Sequence, residues 1–256
     1  MNMSKSERVE TIINLIQKRN FISPLQLSQE MGVSLITIRR DLKLLTEKNI
    51  IKKEYNNIRM VKKYNKIFHE RHNNNLNSKK IIAELTQRFI QSEDTLFLDS
   101  STTCYELAHK LTYSQKNLFI VTNNFYTAIE LLNGDKIDVL LIGGKTMKGY
   151  YSTVGPLAEE MITNIKVDKC FFSCTAVDTI GTYEASNLEA SIKLKFLENS
   201  KLHYLLIDSS KFNKASISKT TSLNNIEVLI SEKELPANLM NVVRKNNIKC
   251  IFPSNK

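Results

Sequence analysis

The chain has 256 residues, enough for one large domain or a small one joined to a larger. Hydrophobic residues make up 42% of it, ample for a core, yet no apolar run approaches the ~20 residues of a membrane span, and no apolar signal segment opens the chain, which points to a cytoplasmic protein. The net charge of +10 is confined to one region: residues 1–80 hold 17 basic and 7 acidic side chains, whereas 81–256 hold 19 of each. A basic field localised in this way attracts polyanions and speeds their encounter.

The first predicted helix is Ser6 to Arg19, with Val9, Ile12, Ile13 and Ile16 on one face and Ser6 as its cap. Ser23-Pro24 starts a second helix, which Gly32 ends. Ser34 then caps a third, in which Ile38, Leu42 and Leu45 share a stripe with Leu35 at its margin. Two helices joined by a tight glycine turn form a helix-turn-helix. The outer face of the third helix carries Ile36, Arg40, Lys43 and Glu47, flanked by Thr37 and Arg39. Basic, hydroxyl and small apolar groups on one side of a short helix suit the major groove; a solvated amphipathic helix would share the pattern. Ser34, Ile36, Thr37, Arg39, Arg40 and Lys43 are therefore candidate DNA contacts. Residues 50–61 read as a short hairpin, the wing of a winged helix, whose Lys52 and Lys53 suit backbone phosphates.

Residues 62–78 are polar and rich in Lys, Asn and His, and read as a linker between a DNA-binding domain (1–61) and a second domain (79–256). His69 and His72 lie there with no third partner for a metal. From Lys79 onward, short apolar strands at Thr95–Asp99, Leu118–Val121, Val139–Ile142, Cys170–Thr175, His203–Ile207, Val228–Ile230 and Cys250–Phe252 alternate with helical patterns at 79–91, 103–111, 125–132, 157–165, 188–199 and 236–246. That alternation predicts an α/β domain with a mostly parallel sheet covered on both faces. Of the four cysteines, Cys170 and Cys174 sit in an apolar run and read as core.

Ligands of open parallel sheets bind beyond the carboxyl ends of the strands. Small polar residues follow four of these ends: Asp99, Ser100, Ser101, Thr102 and Thr103; Thr122 and Asn123; Gly143 and Gly144; and Asp208 with Lys211. The Ser/Thr run at a helix start offers hydroxyls, free amides and the positive end of a helix dipole, a setting for a phosphate; the same hydroxyls would also serve as a plain cap. Lys193 and Lys211 are candidate countercharges. No catalytic triad order, metal-ligand cluster or dinucleotide glycine motif is evident, so neither metal nor cofactor is expected.

The segment Val33-Ser34-x-x-Thr37-Ile38-Arg39-Arg40-Asp41-Leu42 resembles the signature of the DeoR family of bacterial transcriptional regulators. The likeness continues through Lys79–Ala83, Leu98-Asp99-Ser100-x-Thr102-Thr103, Val121-Thr122-Asn123, Ile142-Gly143-Gly144, Val154-Gly155-Pro156, Asp168-Lys169, Glu189 with Lys193, and Asp208-x-Ser210-Lys211-Phe212, in the family's order. It implies a winged helix joined to a sensor domain related in fold to ribose-5-phosphate isomerase, a phosphorylated sugar as effector, double-stranded operator DNA as partner, and a homodimer or homotetramer. It departs from the family at Ser101 and Ser173, where glycine is usual, and at Glu54, Asn56 and Asn57, where an arginine and a glycine pair are usual. Two functions follow: a repressor of a sugar operon released by a sugar phosphate, or a sugar-phosphate isomerase with a basic anchor. The second needs an acid/base carboxylate, for which Asp99 or Asp208 would have to serve.

Overall fold

A computed structural model of the chain describes residues 5–19, 22–47, 51–54, 57–60 and 65–253. The chain divides into two compact units, Met1–Lys66 and Ile67–Lys256.

In the first unit α1 (Lys5–Arg19), α2 (Pro24–Met31) and α3 (Leu35–Glu47) precede β1 (Ile51–Glu54) and β2 (Asn57–Met60). Ser6 lies inside α1 and does not cap it, a correction to the boundary expected above. Ser23 caps α2 through a reciprocal pair of bonds with Gln26, and Gly32 ends it at φ +62°, a left-handed conformation that favours glycine. Ser34 Oγ accepts from the Thr37 amide at 3.3 Å at the start of α3. The antiparallel hairpin pairs Ile51 with Met60, and Ile22 bridges Ile58 to add a third short strand. Ile12, Ile16, Leu27, Ile38, Leu42, Leu45, Ile51 and Ile58 close over one another as the core. The stripe of α3 is thus buried as its spacing predicts, with one addition: Asp41 is also fully buried and accepts from Arg8 Nε at 2.5 Å, tying α3 to α1.

The second unit is built on a seven-stranded sheet. Its strands are β3 (Thr95–Leu98), β4 (Leu118–Thr122), β5 (Ile137–Leu141), β8 (Val167–Phe172), β11 (Ser200–Leu206), β13 (Val228–Ile230) and β14 (Lys249–Ile251), all parallel, in the order β14-β13-β11-β8-β3-β4-β5. Successive side chains enter opposite cores: Leu96 and Leu98 pack under α5 (Leu76–Thr86), α6 (Thr102–Thr112) and α7 (Phe125–Leu131), whereas Phe97 packs under α8 (Pro156–Thr163), α9 (Asn187–Glu198) and α10 (Ala237–Lys245). Two small antiparallel additions complete the unit: β6 (Lys145–Met147) with β7 (Ser152–Val154), and β9 (Ala176–Val177), β10 (Gly181–Glu184) and β12 (Ser218–Ser222). Cys104, Cys170 and Cys174 are buried, and Cys104 Sγ donates to the Phe171 carbonyl.

Residues 62–78 do not form a linker throughout. Asn65–Asn73 is a helix, α4, and its Phe68 is 2% exposed, stacked on Tyr126 at 4.7 Å and edge-on to Tyr105 at 5.6 Å. Residues 61–64 lie outside the described residues.

The order of the sheet places its switch point. The chain runs from β3 outward through β4 and β5, then returns to lay β8 against the other side of β3. Chain segments diverge there, opening a crevice at the carboxyl ends of β3 and β8.

Candidate functional site

A cavity of about 170 Å³ sits at this crevice. The loop after β3 supplies Ser101, Thr102 and Thr103; the loop after β8 supplies Ser173 and Cys174; the loop after β11 supplies Asp208, Ser210 and Lys211. Arg71, Asn74 and Asn75 enter from the end of α4 and the turn that follows, Lys79 from α5, Glu184 from β10 and Lys193 from α9.

Ser101 Oγ accepts from the Cys104 amide at 3.1 Å, so this hydroxyl caps α6. Its backbone is extended, φ −75°, a conformation any residue adopts, so serine sits here without strain. The amides of Thr102 and Thr103, in the first helical turn, have no acceptor within the helix, and the helix dipole makes that end positive. Thr102 Oγ1 points to the Arg71 carbonyl at 3.4 Å.

The four cations differ in what they have left to offer. Lys193 Nζ donates to the Ser173 carbonyl at 2.8 Å and to Glu184 Oε1 at 2.5 Å, and lies 3.0 Å from Asp99 Oδ2. Its three protons are committed, which corrects its expected part as a countercharge. Burial would lower its pKa, but Asp99, Glu184 and Glu189 outweigh that and hold it charged. Lys79 Nζ is buried and committed as well, donating to the carbonyls of Arg71, His72 (3.3 Å) and Asn74 (2.7 Å), and burial pushes its pKa down to about 8. Arg71 lies over the Tyr150 ring at 4.7 Å, and its Nη1 is buried without a partner. Lys211 makes no side-chain hydrogen bond or ion pair among the described residues. Arg71 and Lys211 are therefore the cations available to an anion.

Carboxylates shape the rest. Asp99 is fully buried behind the cavity, accepting from the amides of Ser101 (2.9 Å) and Ser173 (3.0 Å). Burial alone would raise its pKa; Lys193 and these donors hold it below the usual range. Asp208 accepts from Asn75 Nδ2 at 3.0 Å and from Ser210, locking the β11 loop to the turn before α5.

Of the residues expected here, Ser101, Thr102, Thr103, Lys193, Asp208 and Lys211 line the cavity, and Asp99 supports it. Ser100, Thr122, Asn123, Gly143 and Gly144 do not line it. β4 and β5 lie on the side of β3 away from β8, and their loops are engaged elsewhere. Thr122 Oγ1 accepts from the Asn124 amide, Asn123 Nδ2 donates to the Thr153 carbonyl at 2.8 Å, and the Gly143 amide points to Met161 Sδ. Gly144, at φ +134°, packs so closely on α8 that an added Cβ would stand 2.9 Å from Ala158 Cβ.

On α3, Ile36, Arg39, Arg40 and Lys43 are exposed, Ile36 by 81%. Ser34 and Thr37 share a hydroxyl contact at 2.9 Å. Lys53 is exposed on β1; Lys52 lies on the same strand, with its side chain outside the described residues, as are Tyr55 and Asn56 of the wing turn. Among the described residues no helix is long and apolar enough to cross a membrane.

Residues 8–64 match the family model described as the DeoR-like helix-turn-helix domain, and residues 74–233 match that of the DeoR C terminal sensor domain. The L-fucose operon activator of Haemophilus influenzae is 29% identical over 248 residues, covering 96% of this chain and 99% of that protein. The glycerol-3-phosphate regulon repressor of Escherichia coli K12 is 27% identical over 249 residues, covering 96% of this chain and 98% of that one. A solved D-ribose-5-phosphate isomerase in complex with phospho-erythronic acid overlays with a TM-score of 0.40 at 13% identity, over 52% of each chain.

Proposed function

This chain belongs to the DeoR family of transcriptional regulators, and from that premise we propose that it binds operator DNA through α3 and the wing and senses a phosphorylated sugar in the cavity at the β3–β8 switch point. The family is one of DNA-binding regulators and not of enzymes, so the isomerase alternative is not favoured. The proposal places the phosphate against the Thr102 and Thr103 amides, with Lys211 and Arg71 Nη1 as countercharges. The observation that carries it is this pairing of a helix start with two cations, Lys211 and Arg71 Nη1, that have uncommitted donors among the described residues, in a cavity whose other charged groups are engaged in hydrogen bonds within the protein.

The protein acts in the cytoplasm as a repressor of a sugar-metabolism operon, most simply as a homodimer or homotetramer whose two-fold symmetry matches a palindromic operator. Both signs of control occur among the relatives, an activator and several repressors, and the repressor reading follows the commoner of those printed names. A gel shift with DNA upstream of the neighbouring operon, titrated with pentose and hexose phosphates, tests it: a sugar phosphate should release the DNA. Turnover of those sugars in an isomerase assay, with no effect on DNA binding, would contradict it.

A further inference from the structure

Ile36 is 81% exposed, although Ile38, Leu42 and Leu45 of the same helix are buried. It lies on the side of α3 opposite those three, at the head of a ridge that reaches Arg40 one turn on and Lys43 two turns on. Arg39 flanks it, and none of these three cations has a carboxylate partner among the described residues. The first turn of α3 is held in place: Ser34 Oγ accepts from the Thr37 amide at 3.3 Å and shares a 2.9 Å contact with its hydroxyl. Further along, buried Asp41 ties the helix to Arg8 of α1 at 2.5 Å. A β-branched side chain in a helix has one strongly preferred rotamer, so Ile36 presents its methyl groups in a fixed direction. Single exposed apolar residues are common and by themselves signify nothing. This one, however, stands outside the core of its unit and forms helix less readily than Ala, Glu or Lys would in its place. The cations around it complement a polyanion, and to meet Ile36 that polyanion must itself present an apolar group. In the major groove of DNA that group is the 5-methyl of thymine.

We propose that Ile36 reads the 5-methyl group of a thymine in the major groove, so that one position of the operator is fixed by an apolar contact and not by hydrogen bonds. The inference rests on the reading of α3 as the recognition helix and deepens it by naming a base that the helix selects. Ile36 and Arg40 are one turn apart, ~6 Å along the helix axis, and base pairs stack ~3.4 Å apart. The thymine therefore lies within about two base pairs of the base that Arg40 reads. Uracil differs from thymine only in lacking this methyl and presents the same hydrogen-bonding edge. Replacing thymine by uracil thus removes the contact with Ile36 and leaves the polar contacts of the base in place.

The test uses the full chain. Preferred duplexes are selected from random DNA with the parent protein, and each thymine of the selected site is then replaced in turn by uracil. At one thymine the replacement should weaken the parent's binding about fourfold, the worth of one buried methyl group. In Ile36→Ala, which melts cooperatively because the position is exposed, the same replacement should change affinity less than about 1.5-fold. Ile36→Val, which keeps a β-branched side chain, should retain most of the parent's loss. The base whose preference disappears in Arg40→Ala should lie within about two base pairs of that thymine. If no thymine of the selected site responds to loss of its methyl, or if the responding thymine does so equally in Ile36→Ala, the role of Ile36 is overturned while sequence-specific DNA binding stands. Should the parent select no preferred sequence at all, the reading of α3 as a recognition helix fails, and the role of Ile36 fails with it.

Discussion

Lys193 Nζ and Asp99 Oδ2 stand 3.0 Å apart at the switch point, the two side chains exposed by only 5% and 1%. The pair joins α9 to the end of β3, and through the Ser101 and Ser173 amides Asp99 also fixes the loops after β3 and β8. Removing one partner of a buried pair strands the other charge, which costs far more than an exposed pair is worth.

Lys193→Met should therefore destabilise the protein by about 3 kcal/mol in urea unfolding. The pH dependence has a definite sign. The pKa of Asp99 is held down in the folded state, so its contribution is present above the ordinary carboxylate pKa and is lost as pH falls through the folded value. Acid unfolding of the parent should show this loss, and a Met variant as stable as the parent would refute the pairing's weight.

Glu189 behaves in the opposite sense. Burial raises its folded pKa to about 7, above the unfolded value, so its stabilising contribution is full at pH 4 and is lost as pH rises through 7. Between pH 5 and 8, Glu189→Gln should gain stability relative to the parent by up to about 3 kcal/mol. Parallel stability curves for the two proteins would show that Glu189 is not strained by its surroundings.

Phe68 anchors α4, the helix that carries Arg71 into the cavity. Phe68→Ala should cost about 3 kcal/mol of unfolding free energy, as large-to-small changes at buried aromatics do. It should also weaken effector binding, because α4 would no longer hold Arg71 over Tyr150. Thermal melts and titration of the same variant check both, and normal effector affinity would separate α4 from the site.

Much of this architecture is legible in the sequence. Each of the seven strands of the parallel sheet overlaps a short apolar run, because strands covered on both faces show little polar side, although β5, β8, β11 and β14 also carry polar residues such as Asp138, Asp168, Lys201 and Lys249. β6, β7, β10 and β12 escape notice because they are brief and largely polar, as in Ser218-Lys219-Thr220-Thr221-Ser222, and β9 because it is only two residues long. α4 is polar nearly all round and owes its place to the packing of Phe68, a tertiary contact that no local period reveals. The strand-end rule names the loops after β3 and β11 together with those after β4 and β5. Only the order of the strands, which periodicity does not carry, separates the lining pair from the rest. Arg71 is hidden for a similar reason: a lone arginine in a polar stretch shows nothing of what it faces.

On the DNA side, Arg40 is exposed on the outer face of α3 beside Ile36, so Arg40→Ala should cost about 1–3 kcal/mol of operator affinity and relax specificity. Lys53→Ala should instead weaken operator and random DNA alike, and reduce the slope of affinity against salt by about one unit. Gel shifts at two salt concentrations distinguish the two. Undiminished operator binding by Arg40→Ala would move the contact face off α3.

If a sugar phosphate bound at the start of α6 controls release from DNA, the sugar-phosphate concentration that half-releases operator in a gel shift reports on it. Thr102→Val and Lys211→Ala should both still bind operator; the Lys211 variant should need about tenfold more effector or more, and the Thr102 variant a smaller excess. If both variants respond at the parent's concentration, the phosphate lies elsewhere and the Ser/Thr run is only a helix cap.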